Sequence, residues 1–423
     1  MFPDNVRIAI DGFLGALKER GLFPDPVCVD GQTTEPEILI NGKRVIQFSA
    51  CNYLGLATHP AVKGIAKDGI DRYGLATCAS RLICGTTDSH RLLESELTKF
   101  MNSDDAAVFF MVTQANAAAI TSVMGGPSSI LSPSPLLDKL GIEPIRGSKE
   151  IFFDWYSHPS LVWASIEAVS KEGLRPYRHL DMADLEAKLK RSEAGLKLIV
   201  TDGLFSSVGT MAPLPNLVAL SEKYEAILLV DDAHATGVLG ENGRGTCELL
   251  GVEGRVDIQI GSLSKAFAGG LGGFVSGDQN LIDIIRLSGR YINTGSPTPA
   301  NVQALVECVR IARDEPWRKE SVLENANYLR GKLHGLGFST LDSQAHIVPV
   351  HIGDEERAIA VSKALFEKGF LVTVFRYPAI PLGKAILRMC TMATHTKEHM
   401  DQFLCAFSEV AEDYKVPRLE AAS

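Results

Sequence analysis

Apolar residues recur along this chain in distinct rhythms. Over residues 4–20 they return every third or fourth position: Val6, Ile10, Phe13, Leu14 and Leu17 share a face, Asp4 or Asn5 is placed to cap the start, and Gly21 to end it. That spacing predicts an amphipathic helix. The segment Ile38-Leu39-Ile40-Asn41-Gly42-Lys43-Arg44-Val45-Ile46 predicts a hairpin, because Asn-Gly suits a type I′ turn. Residues 1–58 therefore read as an N-terminal helix and small sheet, an arm rather than an independent domain.

Over residues 59–300 short apolar runs alternate with helical spacing. The clearest runs are Ala107–Met111, Ile151–Phe153, Leu198–Thr201, Ile227–Val230, Ile258–Ile260 and Gly273–Ser276. Strands that are apolar throughout and separated by helices predict an α/β domain, its mostly parallel sheet covered on both faces. In such sheets ligands bind where strands end and helices begin. Over residues 301–423 a long helical stretch leads to a smaller α+β unit, with strands near His346–Ile352 and Phe370–Phe375. Residues 125–148 are rich in Pro, Ser and Gly and read as a long loop with room for a short helix, placed to act as a lid or partner contact.

Composition narrows the classes of function. The 423 residues suffice for roughly two to three domain-sized units, and a net charge of -9 argues against an extended nucleic-acid footprint. Eight scattered cysteines without a Cys-x-x-Cys pair predict neither a disulfide framework nor a zinc site, and no metal is expected. Reduced thiols, no signal-peptide pattern at Met-Phe-Pro-Asp and no apolar run of transmembrane length predict a cytoplasmic protein.

The chemistry concentrates at two strand ends. Ile227-Leu228-Leu229-Val230 runs into Asp231-Asp232-Ala233-His234, and Ile258-Gln259-Ile260 into Gly261-Ser262-Leu263-Ser264-Lys265. Neighbouring parallel strands bring an acid, a histidine and a lysine to one edge. Pyridoxal-5′-phosphate (PLP) chemistry needs such a set: an amine for the aldehyde, a carboxylate to keep the pyridine nitrogen protonated, and hydroxyls such as Ser262 and Ser264 for phosphate. Taken alone, a lysine near a turn is more often solvated and a strand-end aspartate more often a cap. The small residues of Ala266-Phe267-Ala268-Gly269-Gly270 favour close approach of a ligand to the backbone.

Several separated motifs, in order, resemble the α-oxoamine synthases, a group of fold-type-I PLP enzymes. They are Asn52-Tyr53-Leu54-Gly55-Leu56, Arg81-Leu82-Ile83-Cys84-Gly85-Thr86, Asp202-Gly203-Leu204-Phe205-Ser206, Asp231-Asp232-Ala233-His234-Ala235-Thr236-Gly237 and Ser262-Leu263-Ser264-Lys265-Ala266-Phe267. The likeness runs from about residue 45 to 410. It implies a large PLP-binding domain with a mostly parallel seven-stranded sheet plus a smaller C-terminal α+β domain. It also implies decarboxylative condensation of an α-amino acid with an acyl thioester, carried by coenzyme A or an acyl carrier protein, giving an α-aminoketone.

The resemblance also implies roles. Lys265 is the Schiff-base lysine, Asp231 the partner of the pyridine nitrogen, and His158 the ring-stacking histidine. His234 and Ser206 serve the phenolic oxygen. Val112, Thr113 and Ser262 lie at the phosphate, which Thr294 reaches from the partner subunit of a homodimer with shared active sites. Arg388 binds the amino-acid carboxylate, and Arg376 matches an arginine of serine palmitoyltransferases. The chain departs from the pattern at Met111-Val112-Thr113, where Ser-Gly-Phe/Tyr is usual, at Cys51, where an asparagine helps hold the carboxylate, and at Val208-Gly209-Thr210, where Asp-Gly-Asp is common. The last of these, with Arg376, points to serine or alanine ahead of glycine. Competing expectations are another fold-type-I reaction, aldol cleavage or transamination, and a catalytically silent PLP-fold subunit. The intact Lys265, Asp231 and His158 argue against the last.

Overall fold

A computed structural model describes residues 2–23, 26–125, 135–141, 143 and 147–419. The central sheet has seven strands: β3 (Asp105–Phe109), β4 (Lys149–Asp154), β5 (Leu174–Tyr177), β6 (Leu196–Asp202), β7 (Ile227–Asp231), β8 (Ile258–Ser262) and β9 (Gly273–Gly277). Their order is β3-β9-β8-β7-β6-β4-β5, with β9 antiparallel to both neighbours and the other pairs parallel. The pleat sends alternate residues to opposite faces. Ile151, Phe153, Leu198, Val200 and Leu229 join one apolar core, and Phe152, Ile199, Leu228 and Val230 join another. Burial on both faces is why these strands read as unbroken apolar runs. The exception is β5, an edge strand that tolerates Pro176 because it pairs on one side only; its sequence carries no comparable run.

The N-terminal hairpin pairs β1 (Glu37–Ile40) with β2 (Lys43–Gln47) through Asn41 and Gly42, whose φ of 52° and 73° fit the expected turn. Its third strand is β11 (Phe370–Leu371), which runs parallel to β2. The smaller sheet, in order β10-β13-β12, is antiparallel and built from β10 (Ile347–Gly353), β12 (Thr373–Phe375) and β13 (Ala385–Cys390). Helices Trp317–Gly335, Glu355–Glu367 and Lys397–Asp413 cover it through a core that includes Phe338, Phe403 and Phe407. The central strand, β13, is absent from the sequence reading because charged Arg388 interrupts its apolar run.

The N-terminal helix spans Asp4–Glu19, but Pro3 stands at its cap and no side chain caps it, in place of the expected Asp4 or Asn5. Its apolar face is uncovered: Ile8 and Phe13 are exposed, and no residue of the helix is buried. Most of the expected loop at 125–148 lies outside the described residues, within which a short helix, Pro135–Leu140, does form.

Candidate active site

The parallel strands β4, β6, β7 and β8 all point their C-terminal ends at one edge, where they deliver Asp154, Asp202, Asp231 and Ser262. A cavity of about 240 Å³ opens there, lined by Met111, Val112, Thr113, His158, Asp202, Asp231, Ala233, His234, Ser264 and Lys265. The structure thus brings together Lys265, Asp231, His234, His158, Val112 and Thr113.

The Lys265 amine makes no hydrogen bond or ion pair with any described residue, and burial pulls it below the ordinary lysine value, against the opposing charge of Asp231. Asp231 is held on both oxygens: Asn116 Nδ2 donates to one at 2.7 Å and the Ala233 amide to the other at 3.0 Å. Asn116 also donates to Ser160 Oγ at 2.9 Å, and Ser160 Oγ lies 2.6 Å from His158 Nδ1. One buried chain of hydrogen bonds therefore links the acid to the histidine and orients both. Asp202 accepts the His158 amide at 2.8 Å. Burial, reinforced by the charge of Asp231, raises the Asp202 carboxyl well above its ordinary range. Burial lowers His158, with Asp231 opposing and Lys265 assisting.

His234 Nδ1 is hydrogen-bonded to Tyr53 Oη at 2.7 Å, and the Tyr53 ring meets His346 edge-on at 4.1 Å. Burial raises the Tyr53 phenol and lowers the His234 ring, so both stay neutral. The bond fixes the imidazole and leaves Nε2 as the nitrogen available to the cavity. Tyr53→Phe should cost roughly fivefold in turnover with the fold intact, the worth of one hydrogen bond. Tyr53→Ala also removes the buried ring and should cost about 3–5 kcal/mol of stability, read by thermal melting. Unchanged turnover in Tyr53→Phe would discount the hydrogen bond.

Arg388, on β13, is 4% exposed. Its Nε donates to the Ser206 carbonyl at 2.6 Å, and its guanidinium lies over Phe375 at 5.3 Å. It has no carboxylate partner among the described residues. Burial opposes its charge, but Cys390, Tyr53 and Cys51 around it raise its pKa further. The carbonyl it grips sits on a tight turn: Gly209 (φ 71°) donates to the Phe205 carbonyl at 2.8 Å, and a Cβ on Gly209 would come within 2.6 Å of the Ile347 carbonyl. Glycine is required there by both conformation and space. Cys51 lies near Arg388, whose charge helps hold its thiol below the ordinary value.

Three assigned residues lie elsewhere. Arg376 donates to the Leu22 carbonyl at 2.6 Å, beside the end of the N-terminal helix, and does not line the cavity. Thr294 donates to the Arg290 carbonyl at 2.7 Å of its own chain. Ser262 is fully buried with its hydroxyl 3.0 Å from that of Ser264, and it is Ser264 that lines the cavity.

Tyr53, Asn116, Ser160 and Asp202 belong to the site and were not singled out from sequence. Asp202 carried the same strand-end signal as Asp231. By contrast Asp232, beside Asp231, faces away: it accepts from the Thr246 amide, Thr246 Oγ1 and Gln259 Nε2, and burial pushes its carboxyl up to about 6.

These residues fit PLP on three observations. Lys265 is a partially buried residue whose amine has no partner among the described residues. The Val112 and Thr113 amides, first in helix Val112–Met124, have no partner among the described residues and face the cavity, a ready site for phosphate. Asp231 lines the same cavity as an anchored carboxylate.

A model of the aminotransferase class I and II family matches residues 144–407, more than half the chain. An 8-amino-7-oxononanoate synthase of Bacillus velezensis is 38% identical over 383 residues, covering 90% of this chain and 92% of that protein. One from Bacillus pumilus is 37% identical over 405 residues, covering 95% and 97%. The solved serine palmitoyltransferase of Sphingomonas wittichii superposes with a TM-score of 0.86 at 29% identity, covering 98% of this chain and 99% of that one.

Proposed function

The chain belongs to the aminotransferase class I and II family and, within it, to the α-oxoamine synthases, and from that premise we propose how its residues divide the work. It is a PLP-dependent acyltransferase that condenses an amino acid with an acyl thioester and releases carbon dioxide. Bound PLP supplies a protonated pyridine ring that withdraws electrons from the amino-acid Cα. Lys265 would hold its aldehyde carbon, Asp231 its ring nitrogen, His234 and Ser206 its phenolic oxygen, and His158 its ring face. The Val112 and Thr113 amides, the Ser264 hydroxyl with Ser262 hydrogen-bonded behind it, and Thr294 of the partner subunit would hold the phosphate.

The observation that carries this division is the pairing at one site of two cations with no ion-pair partner among the described residues, Lys265 in the cavity and Arg388 behind it. A buried guanidinium with no internal carboxylate is matched to one supplied by a substrate. Arg388 binds the amino-acid carboxylate bidentately and presents the Cα proton to Lys265. The lowered pKa of Lys265 makes its Nζ a competent base, which takes that proton and returns it after carbon dioxide has left. His158 Nε2 hydrogen-bonds the thioester oxygen or the carboxylate, and Asn116, through Ser160, keeps the ring aimed.

The amino acid carries a Cβ, as serine or alanine does. Supporting this are a relative named for serine and others whose product, by name, keeps a ninth carbon on the amine-bearing eighth one, as a Cβ would. The test is to incubate holoenzyme with glycine, alanine or serine, labelled at the carboxyl carbon, and an acyl-CoA. Thiol and labelled carbon dioxide should appear in equal amounts, and only when both substrates are present. Carbon dioxide without thiol, or keto-acid formation without either, would replace condensation with another reaction on the same cofactor.

The active unit is a homodimer. Leu75, Leu82 and Ile83 form an exposed apolar surface beside the segment bearing Thr294: Ser80 pairs with Gly295, and the Arg81 amide donates to the Thr294 carbonyl at 3.4 Å. Such a patch favours burial against a second copy, which would carry Thr294 across. Ile83→Asp should halve the mass measured by light scattering and abolish turnover. A dimer of full mass would move the interface elsewhere. Among the described residues no helix is long and apolar enough to cross a membrane.

A further inference from the structure

The acid that ends β4 serves none of the roles assigned above. Asp154 is 1% exposed, and both of its oxygens are engaged. Oδ1 accepts from the Tyr156 amide at 2.8 Å and lies 2.9 Å from His179 Nδ1, while Oδ2 accepts from the Leu180 amide at 2.8 Å. Asp154 pairs with Tyr177 in the register of β4 and β5, so the residues just past β5 come directly to it. Because the aspartate accepts, His179 Nδ1 donates, and Nε2 is left for Thr210 Oγ1 at 3.1 Å. The imidazole is wedged between rings: it stacks on Tyr156 at 4.3 Å and meets Phe205 edge-on at 4.6 Å.

Thr210 closes the turn that Arg388 grips. Its carbonyl accepts from the Phe205 amide at 2.9 Å, and Leu204 bridges Met211. The Ser206 carbonyl, inside that closure, receives Arg388 Nε at 2.6 Å. Hydrogen bonds therefore run from Asp154 through His179 to Thr210, and the turn carries them on to Arg388. The same aspartate anchors the approach to His158, through the Tyr156 amide on its side chain and the Ser157 amide on its carbonyl at 2.9 Å. One fixed point thus serves both the histidine and the arginine of the site. Thr210 is also a position where this chain departs from the common Asp-Gly-Asp. A hydroxyl donates or accepts, so its bond holds whether or not the ring is charged. An aspartate there would need a proton on both ring nitrogens.

We propose that His179 is a positioning residue for the amino-acid substrate: braced by Asp154 and bonded to Thr210, it fixes the Ser206 turn and with it the aim of the Arg388 guanidinium. This rests on the reading of Arg388 as the carboxylate-binding group. His179 does not line the cavity and acts only by removing freedom from the turn. Without the bond the turn keeps its backbone hydrogen bonds but gains room to shift. A fork that must meet both oxygens of a carboxylate is sensitive to such small displacements.

The experiment measures, on holoenzyme, the KM of each substrate, the amino-acid Kd by absorbance titration without thioester, and the melting temperature. Thr210→Val removes the hydroxyl and keeps the branched shape. It should raise amino-acid KM and Kd about fivefold, the worth of one hydrogen bond, with little effect on thioester KM. Thr210→Ser should restore both. His179→Phe keeps the stacked ring and should shift the same two constants, and the two changes together should cost no more than His179→Phe alone. Adding Thr210→Val to Arg388→Ala should change nothing further, because the hydroxyl acts through the guanidinium. An unchanged amino-acid Kd in Thr210→Val, with Arg388→Ala still impaired, would overturn the positioning role alone. A loss shared by both substrates, with a lower melting temperature, would reduce His179 to a structural brace and overturn it too. Arg388→Ala with unchanged amino-acid KM would overturn the carboxylate assignment and this proposal together.

Discussion

Lys265→Ala should lower turnover on the order of 10⁴-fold, the upper range for removing a positioned acid–base group, and at the same time raise the melting temperature of the cofactor-free protein. The first effect follows from a single amine both holding the cofactor and moving the Cα proton. The second follows from its surroundings. The amine has no hydrogen-bond or ion-pair partner among the described residues, and its pKa is depressed chiefly by burial. A group whose folded-state pKa lies below its unfolded value of about 10.4 is harder to charge in the fold. The cost is fully present below the folded pKa, where both states are protonated. It fades as pH rises from the folded pKa to the unfolded one, where both become neutral. The melting-temperature gain of the variant should therefore be largest below the folded pKa and vanish above the unfolded one. A variant that melts lower than the parent at neutral pH would show instead that Lys265 is a structural cation, and the cofactor assignment would lose its main support.

The same physics decides what was legible in the sequence. Strands β3, β4 and β6 to β9 were readable because burial on both faces demands unbroken apolar residues. The acid, histidine and lysine followed from where those strands end. Asp231 and His234 sit on one turn, so their proximity is local information. Tyr53 and His234 are 181 residues apart, and Asn116 and Asp231 are 115 apart. Their contacts come from packing between elements, which no periodicity encodes. β13 was missed for a related reason. Its fourth residue is an arginine, and a charged side chain on a central strand breaks the pattern that marks the others, yet that break is the functional residue itself. Arg376 shows the converse: a motif match placed it at the site, while the fold spends its guanidinium on Leu22. Family motifs transfer where the backbone path is shared, and a long, partly buried side chain can still be engaged elsewhere.

Arg388→Ala should cost about 2–5 kcal/mol in amino-acid binding, roughly 30- to 5,000-fold in kcat/KM for the amino acid, because it strands a buried carboxylate without its counter-charge. The thioester KM should hardly move, since nothing in the geometry points Arg388 at the acyl donor. Arg388→Lys should recover little. The guanidinium uses Nε on the Ser206 carbonyl at 2.6 Å and lies over Phe375, which leaves its terminal nitrogens to meet a carboxylate as a pair. A lysine ammonium keeps the charge but loses both the anchor and the fork. Steady-state kinetics with each substrate varied in turn separates two cases. A rise confined to the amino-acid KM marks a binding group. A parallel fall in kcat/KM for both substrates, with a lower melting temperature, would mark Arg388 as the prop that holds the Ser206 turn in place. Because Arg388 is 4% exposed and has no carboxylate partner among the described residues, the fold already bears the cost of a buried charge, and that cost is offset when a substrate carboxylate arrives.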